Sequence, residues 1–397
     1  MTSDHSIIVS IFRIVSILIM HLYYYWLKIF GKVVEGRIVL YSRPNYSDNA
    51  KALSNYLVKN RCNCKEPIYW IVKDVKQYKN SNHLQFLQKE NRWGFVNLKT
   101  YNILYTSQFV MTTHNFPIPK KKGLKGQKFI LLWHGCGYKD NKSRIGSDLF
   151  DTALVSGPLF VETKMKFWNV GREKILPLGY PRYDWLLRGS DNALNYATYL
   201  KSIHKSEKMI IWMPTYRKTK MKYAESDLNQ FPLLESLEEW KELDTLCSAK
   251  KILLLIKMHM SQVDVGIDFS NFTNIIRISN DDFDKCQCEM YEFLKFTDAL
   301  ITDYSSVAFD FLLVNKPLAF VLSDFEQYNN RRGFVFDSPR DYMPGHHIYH
   351  YNDLIRFLND ISNDVDNYAE WRKKIRNEAL YKTDNYCKEI TDRLMAI

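Results

Sequence analysis

Two kinds of residue stand where this chain could do chemistry: histidines directly after apolar runs, and hydroxyls at the start of a helix. Leu132 to Lys139 reads Leu-Trp-His-Gly-Cys-Gly-Tyr-Lys, a strand running into His134 and then into glycines. Imidazole is the side chain whose ordinary pKa suits general-base work near neutral pH. Glycines behind it let a ligand approach the backbone closely. A histidine in this position can equally be structural. The hydroxyls lie in Asp298 to Asp310, where the apolar run Ala299, Leu300, Ile301 is followed by Thr302, Ser305 and Ser306. An amphipathic helix is expected to start near Val307 and to carry Phe309, Phe311 and Leu312. Free backbone N–H groups and the positive end of the helix dipole would then point at one spot, which suits an anion. Serine and threonine also cap helices that bind nothing.

Cations follow other apolar runs in the second half of the chain. Arg217 ends Met213-Pro-Thr-Tyr-Arg, Lys257 and His259 end another run, and Arg331 and Arg332 precede Gly333. Converging with the hydroxyls, these would hold a highly charged ligand such as a diphosphate. No Gly-x-Gly-x-x-Gly or Walker loop is present, which argues against a dinucleotide oxidoreductase or an ATPase. Nor is there an Asp-x-Asp pair suited to holding a divalent metal on a sugar nucleotide.

The elements that must position these residues read as two α/β series. Strands are expected at Gly36–Ser42, Ile68–Val72, Phe109–Thr112, Phe129–Trp133, Thr152–Val155 and from Ile175. A second series follows at Met209–Met213, Lys251–Ile256, from Ile275, at Ala299–Ile301 and at Pro317–Leu322. Helical stretches between several of them make a mostly parallel sheet in each half. The polar stretch Arg188 to Lys208 reads as the linker or crossover. Two open sheets leave a cleft, and ligands bind where the carboxyl ends of the strands face it. The domains expected are 1–35, an amphipathic membrane-associating segment; 36–190, a Rossmann-like domain; and 205–397, a second Rossmann-like domain.

Composition agrees with a folded protein that meets an acidic partner. The chain has 397 residues, 46% hydrophobic and 15% aromatic, with a formal net charge of +11. That charge suits nucleic acid, anionic lipid or a phosphate-rich substrate. A nonenzymatic polyanion binder would not need histidines and hydroxyls at strand ends, so no nucleic acid is expected. The seven cysteines include the C-x-C pairs Cys62/Cys64 and Cys286/Cys288, which lack zinc spacing and read as reduced thiols.

The apolar segment Ile7 to Phe30 is an amphipathic helix on a 3.6-residue wheel. Ser6, Ser10, Arg13, His21, Tyr24 and Lys28 share one stripe, with Ile7, Ile8, Ile11, Val15, Leu18, Ile19 and Leu22 around the rest. A charge at Arg13 suits the surface of a bilayer better than its interior. Tyr23 to Trp26 favour the headgroup region. The expectation is a helix lying in the cytoplasmic interface, on an anionic membrane surface; the alternative is a helix packed on the protein or a partner chain. The run Lys120 to Lys122 would add attraction to anionic lipid.

Taken in order, these segments resemble the CDP-glycerol glycerophosphotransferase family, of the teichoic acid primase and polymerase type. The matches are Trp133-His-Gly135; Gly179-Tyr-Pro-Arg-Tyr-Asp184; Pro214-Thr-Tyr-Arg217; Lys257-Met-His259; and Ile301-Thr-Asp-Tyr-Ser-Ser-Val-x-Phe-Asp310, extended by Arg332-Gly-Phe334. The resemblance implies a two-domain GT-B architecture, no cofactor and no bound metal, and work at the cytoplasmic face of the membrane as a peripheral protein. It implies transfer of a polyol phosphate, glycerol phosphate foremost, from a CDP-alcohol such as CDP-glycerol. The acceptor would be a hydroxyl of a lipid-linked saccharide or polyol-phosphate chain, and CMP would leave. His134 and His259 become the catalytic candidates. Arg217, Thr302, Asp303, Ser305, Ser306 and Arg332 become donor-binding, while Asp303 and Asp310 can also brace loops and Arg182 can tie the crossover to the site. The chain departs from the family at Cys136-Gly-Tyr-Lys139, where a Thr-Pro-Leu-Lys-like segment is usual, and at Met260, where proline is common. The alternative is a glycosyltransferase of the same architecture that uses a nucleotide-sugar for surface polysaccharide.

Overall fold

Short, mostly apolar runs, most of them followed by a helix, build two parallel sheets in a computed structural model that describes residues 2–60, 66–91, 95–140, 148–215, 231, 233–234, 236–258 and 267–396. The first sheet holds β1 (Val34–Tyr41), β2 (Ile68–Val72), β3 (Leu84–Gln88), β4 (Ser107–Thr112), β5 (Lys128–Leu131), β6 (Thr152–Leu154) and β7 (Ile175–Leu176). Its order is β3-β2-β1-β4-β5-β6-β7. The second holds β8 (Lys208–Trp212), β9 (Ile252–Ile256), β10 (Ile275–Arg277), β11 (Ala299–Thr302), β12 (Leu318–Val321) and β13 (His346–Ile348), in the order β10-β9-β8-β11-β12-β13. Both orders reverse between the first and fourth strand of their series, and loops at such a switch point line a ligand crevice. Strands such as β2 and β9 are buried at every position, as parallel strands covered on both faces must be.

Two stretches differ from the sequence reading. Residues 191–203, expected within a linker, form the helix Asp191–Ile203, capped by the Ser190 hydroxyl accepting from the Ala193 N–H. Its buried positions are Ala193, Ala197 and Leu200, spaced for one helical face but too small to stand out from the polar residues between them. The end of the chain also leaves the second sheet. The helix Tyr386–Met395 starts on Asp184, whose carboxylate accepts from the N–H groups of Tyr386 and Cys387 at 2.8 and 3.0 Å. Cys387 Sγ then reaches the carbonyls of Pro181 and Ala52, which places this helix on the first half of the chain.

Over its described side chains, from Ile14 onward, the N-terminal helix Thr2–Phe30 packs along one side. Ser16, Tyr24 and Leu27 are buried, with the Ser16 hydroxyl accepting from the Val96 N–H at 2.5 Å and the Tyr24 ring 5.2 Å from that of Tyr105. Ile14, Leu18, Leu22, Trp26 and Phe30 face outward, Leu22 73% and Trp26 51% exposed. One face of the helix thus packs on the protein, and the opposite face is apolar and open. Among the described residues no helix is long and apolar enough to cross a membrane. Lys120 of the basic run is tied down by Asp148 and Asp151 at 3.1 and 3.0 Å.

Candidate active site

The loop after β5 carries His134. Its backbone is held in an unusual shape: Trp133 has φ 57°, a conformation that bulky residues avoid and that persists only when surroundings enforce it. The enforcing contacts are visible. Asn49 Nδ2 donates to the Trp133 carbonyl at 2.8 Å, and Arg182 Nη1 donates to the His134 carbonyl at 3.0 Å. His134 Nδ1 lies 3.1 Å from the Thr113 carbonyl, which can only accept. Nδ1 therefore carries the proton and Nε2 keeps its lone pair, the tautomer a general base needs. The ring stacks on His114 at 4.2 Å and abuts Trp133 at 4.0 Å. Burial first, and the neighbouring His114 second, push the His134 pKa down to about 3, so the ring is neutral at physiological pH.

The glycines after His134 do something other than admit a ligand. A Cβ on Gly135, at φ 142°, would lie 2.7 Å from Ser306 Oγ, and one on Gly137 would lie 3.0 Å from Ser306 Cα. Bare backbone at these positions lets the His134 loop of the first sheet press against the start of the helix Val307–Phe311 in the second. The His134 loop and Ser306, distant in sequence, are thus brought together. Tyr138 locks the arrangement. Fully buried, it donates its hydroxyl to the Tyr342 carbonyl at 2.8 Å and packs on Phe309, 4.7 Å between rings. Lys139 pairs with Phe334 as an antiparallel bridge, and Asp140 N–H donates to the Gly333 carbonyl at 3.1 Å. The segment Cys136–Lys139, one of the two departures from the family pattern, therefore helps to dock the two halves.

Arg182 is the hub beneath that junction. Nη1 also reaches Asp48 at 2.6 Å, and Nη2 reaches Asp310 at 2.7 Å; the Arg182 and Asp310 side chains are only 4% and 1% exposed. Asp310 further accepts from the hydroxyls of Tyr183 and Tyr291 at 2.6 and 2.5 Å. With two carboxylates and a tyrosine ring 4.5 Å from its Cζ, the guanidinium stays charged although buried.

The other expected residues divide. Ser305 and Ser306 are partly exposed at the loop surface. Thr302 and Asp303 lie beneath it: the Thr302 hydroxyl donates to the Met213 carbonyl at 2.8 Å, and both Asp303 oxygens accept from the Thr215 N–H at 2.9 Å. These bonds stitch the ends of β8 and β11 across the switch point, which shapes the crevice from below. Lys257 ends β9, and its ammonium sits 3.3 Å from the Met258 carbonyl; burial first and Arg277 second lower its pKa to about 8. Arg332 is partly exposed after the helix Phe325–Arg331, its N–H donating to the Tyr328 carbonyl. Arg217 and His259 lie outside the described residues.

The model of the family described as CDP-Glycerol:Poly(glycerophosphate) glycerophosphotransferase matches residues 23–394. This chain belongs to that family. It is 25% identical over 378 residues to a teichoic acid glycerol-phosphate transferase of Staphylococcus aureus, covering 89% of this chain and 92% of that one. It is 24% identical to the teichoic acid ribitol-phosphate polymerase TarK of the same species, covering 84% of this chain and 63% of that one. Among solved structures, a variant of the wall teichoic acid polymerase TagF superposes with a TM-score of 0.71 at 20% identity, covering 98% of this chain and 96% of that one. A TagF variant soaked with CDPG gives 0.69 at 21% identity, over 92% and 89%. The two parallel sheets are thus the TagF-like GT-B fold.

In this glycerophosphotransferase-family chain, the sequence reading passed over two residues beside His134. His114 follows β4 as His134 follows β5, so the same strand-end argument applied to Phe109–Thr112 would have found it. Lys164 sits in the helix Val161–Trp168, within electrostatic reach of His134, and no sequence signal marks it.

Proposed function

We propose that this protein transfers a polyol phosphate, glycerol phosphate foremost, from a CDP-alcohol to a hydroxyl of a polymeric or lipid-linked acceptor in teichoic acid synthesis. The observation that carries this reading is the meeting of the His134 loop with Ser306 across the two halves. It brings the loop that carries the neutral His134 imidazole to the hydroxyls expected to hold a diphosphate. His134 Nε2 would take the acceptor's proton while its oxygen attacks the distal phosphorus. The bond to the proximal phosphate breaks, and CMP leaves with the electron pair. Ser305 and Ser306 would face the departing charge, together with Arg332, His259 and Arg217. Such catalysis is mostly positioning and stabilisation of spreading negative charge. A base whose pKa is about 3 in the free protein is weak, and the entering phosphates supply the negative charge that raises it.

Glycerol is preferred over ribitol because the family description names CDP-glycerol and because the glycerol-phosphate transferase match spans 92% of that relative. The outward apolar face of the helix Thr2–Phe30 supports peripheral attachment at the cytoplasmic face of the membrane. The test is nucleotide release by purified protein offered CDP-glycerol, CDP-ribitol and a nucleotide-sugar panel with detergent-solubilised acceptor. CMP release from one CDP-alcohol, lost in His134→Ala, names the polyol. Release of a nucleoside diphosphate from a nucleotide-sugar would make the protein a glycosyltransferase.

A further inference from the structure

Lys164 is held among aromatic rings rather than carboxylates. Its ammonium lies 5.0 Å from the centre of the Trp133 ring, 4.9 Å from Phe167 and 5.6 Å from Trp168. Phe167 and Trp168 follow it by three and four residues, so one helical face presents the lysine and two of its rings together. Among the described residues no carboxylate or carbonyl accepts from it. Aromatic faces attract an ammonium, but by less than full hydration does. Crowding by protein accordingly lowers the Lys164 pKa, although part of the residue remains open to solvent.

A second donor in the same cluster also lacks an acceptor. Trp133 is buried, and its Nε1 has no hydrogen-bond partner. Buried polar groups are nearly always satisfied, so an orphan beside an unpaired cation asks for an explanation. The chemistry that would satisfy both is an oxyanion, and the cluster adjoins His134, whose ring lies 4.0 Å from that of Trp133.

We propose that Lys164 and the Trp133 indole N–H form a subsite for the acceptor phosphate nearest the attacking hydroxyl. The subsite belongs to the first half of the chain, beside His134. It rests on the phosphotransfer reading above. The anion could be a phosphodiester of a growing chain or the diphosphate of a lipid-linked saccharide. Lys164 would orient the acceptor, and its field on His134 would be neutralised as the anion arrives.

The experiment is CMP release from CDP-glycerol by the full chain, with three acceptors: a glycerol-phosphate oligomer, a prenyl-diphosphate saccharide and an acylated glycerol without phosphate. Lys164→Met should raise the acceptor KM about ten- to hundredfold, the range for losing one charge-assisted contact. CDP-glycerol KM should stay within about twofold, well inside the tenfold that 1.4 kcal/mol represents, and the KM of the phosphate-free acceptor should show no such rise, whatever the loss of the Lys164 charge does to kcat through His134. The melting temperature should hold or rise, because methionine needs no desolvated charge. Lys164→Arg should retain acceptor preference. An effect confined to the oligomer assigns the chain phosphodiester, and one confined to the prenyl acceptor assigns the diphosphate. An unchanged acceptor KM, a rise in CDP-glycerol KM alone, or a falling melting temperature with all acceptors equally affected overturns the proposal.

Failure of the unaltered protein to release CMP from any CDP-alcohol would refute the phosphotransfer reading separately. The subsite is then judged by titrating glycerophosphoglycerol against histidine imidazole NMR signals. A response lost in Lys164→Met upholds it, and equal titrations of both proteins overturn it.

Discussion

Replacing Arg182 with methionine removes the cation on which the two halves of the protein converge. Both partners of the Arg182–Asp310 pair are almost wholly buried, at 2.7 Å, so the change strands a carboxylate in the interior. Breaking such a pair by deleting one member costs about 3–5 kcal/mol. The Tyr183 and Tyr291 hydroxyls still donate to Asp310, which moves the expectation to the lower end of that range, about 3 kcal/mol. Asp48 and the His134 carbonyl lose donors in the same step. Urea denaturation read by tryptophan fluorescence measures the loss, since Trp133 and Trp185 lie on the affected side. The double variant Arg182→Met with Asp310→Asn should be less destabilised than the two single changes added together, by about 1–3 kcal/mol, because neither charge then remains unpaired. Additive effects, or a loss below about 1 kcal/mol for the single variant, would refute the hub. Activity should also fall at temperatures where the variant remains folded, because Arg182 anchors the peptide that carries His134.

Three further outcomes follow from the same geometry. His134 has a folded pKa of about 3 against an ordinary 6.5, so between those values the unfolded chain binds a proton that the folded chain refuses. Stability should therefore rise with pH across that window and cost about 2 kcal/mol at pH 5 relative to pH above 6.5. Urea midpoints of His134→Asn should depend less on pH there than those of the unaltered protein, and an equal dependence would remove His134 as the cause. Gly137→Ala places a methyl 3.0 Å from Ser306 Cα, so kcat/KM should drop at least about tenfold while the urea midpoint shifts modestly, by about 1–3 kcal/mol. Leu22→Glu combined with Trp26→Glu, both on the open face, should cut co-sedimentation with anionic phospholipid vesicles about tenfold or more and leave the urea midpoint in place. Undiminished sedimentation would mean that this face does not meet the membrane.

Most strands were legible because parallel strands buried on both faces are continuous apolar runs, as in Ile252–Ile256. β3 and β13 escaped: Leu-Gln-Phe-Leu-Gln and His-His-Ile carry too many polar side chains, or are too short, to stand out. The helix Asp191–Ile203 was missed because alanines do most of its packing. At the site, His134 and the hydroxyls of Ser305 and Ser306 were visible as strand-end residues. The burial of Thr302 and Asp303 was not, because it depends on where Met213 and Thr215 lie across the switch point. Gly135 and Gly137 read as room for a ligand, whereas the space they leave is filled by Ser306. Contacts between the halves, such as Tyr138 with Phe309 or Arg182 with Asp310, join distant segments and leave no periodic trace.

In the proposed reaction an acceptor oxygen, activated by His134, attacks the distal phosphorus of a CDP-alcohol. Rapid-quench single-turnover reaction with CDP-glycerol radiolabelled in the cytidine tests it most directly. Labelled CMP should form in step with acceptor extension, with both slowed about a hundredfold or more in His134→Gln, as loss of a general base entails. Labelled CDP as the product, or undiminished turnover in His134→Gln, would contradict it.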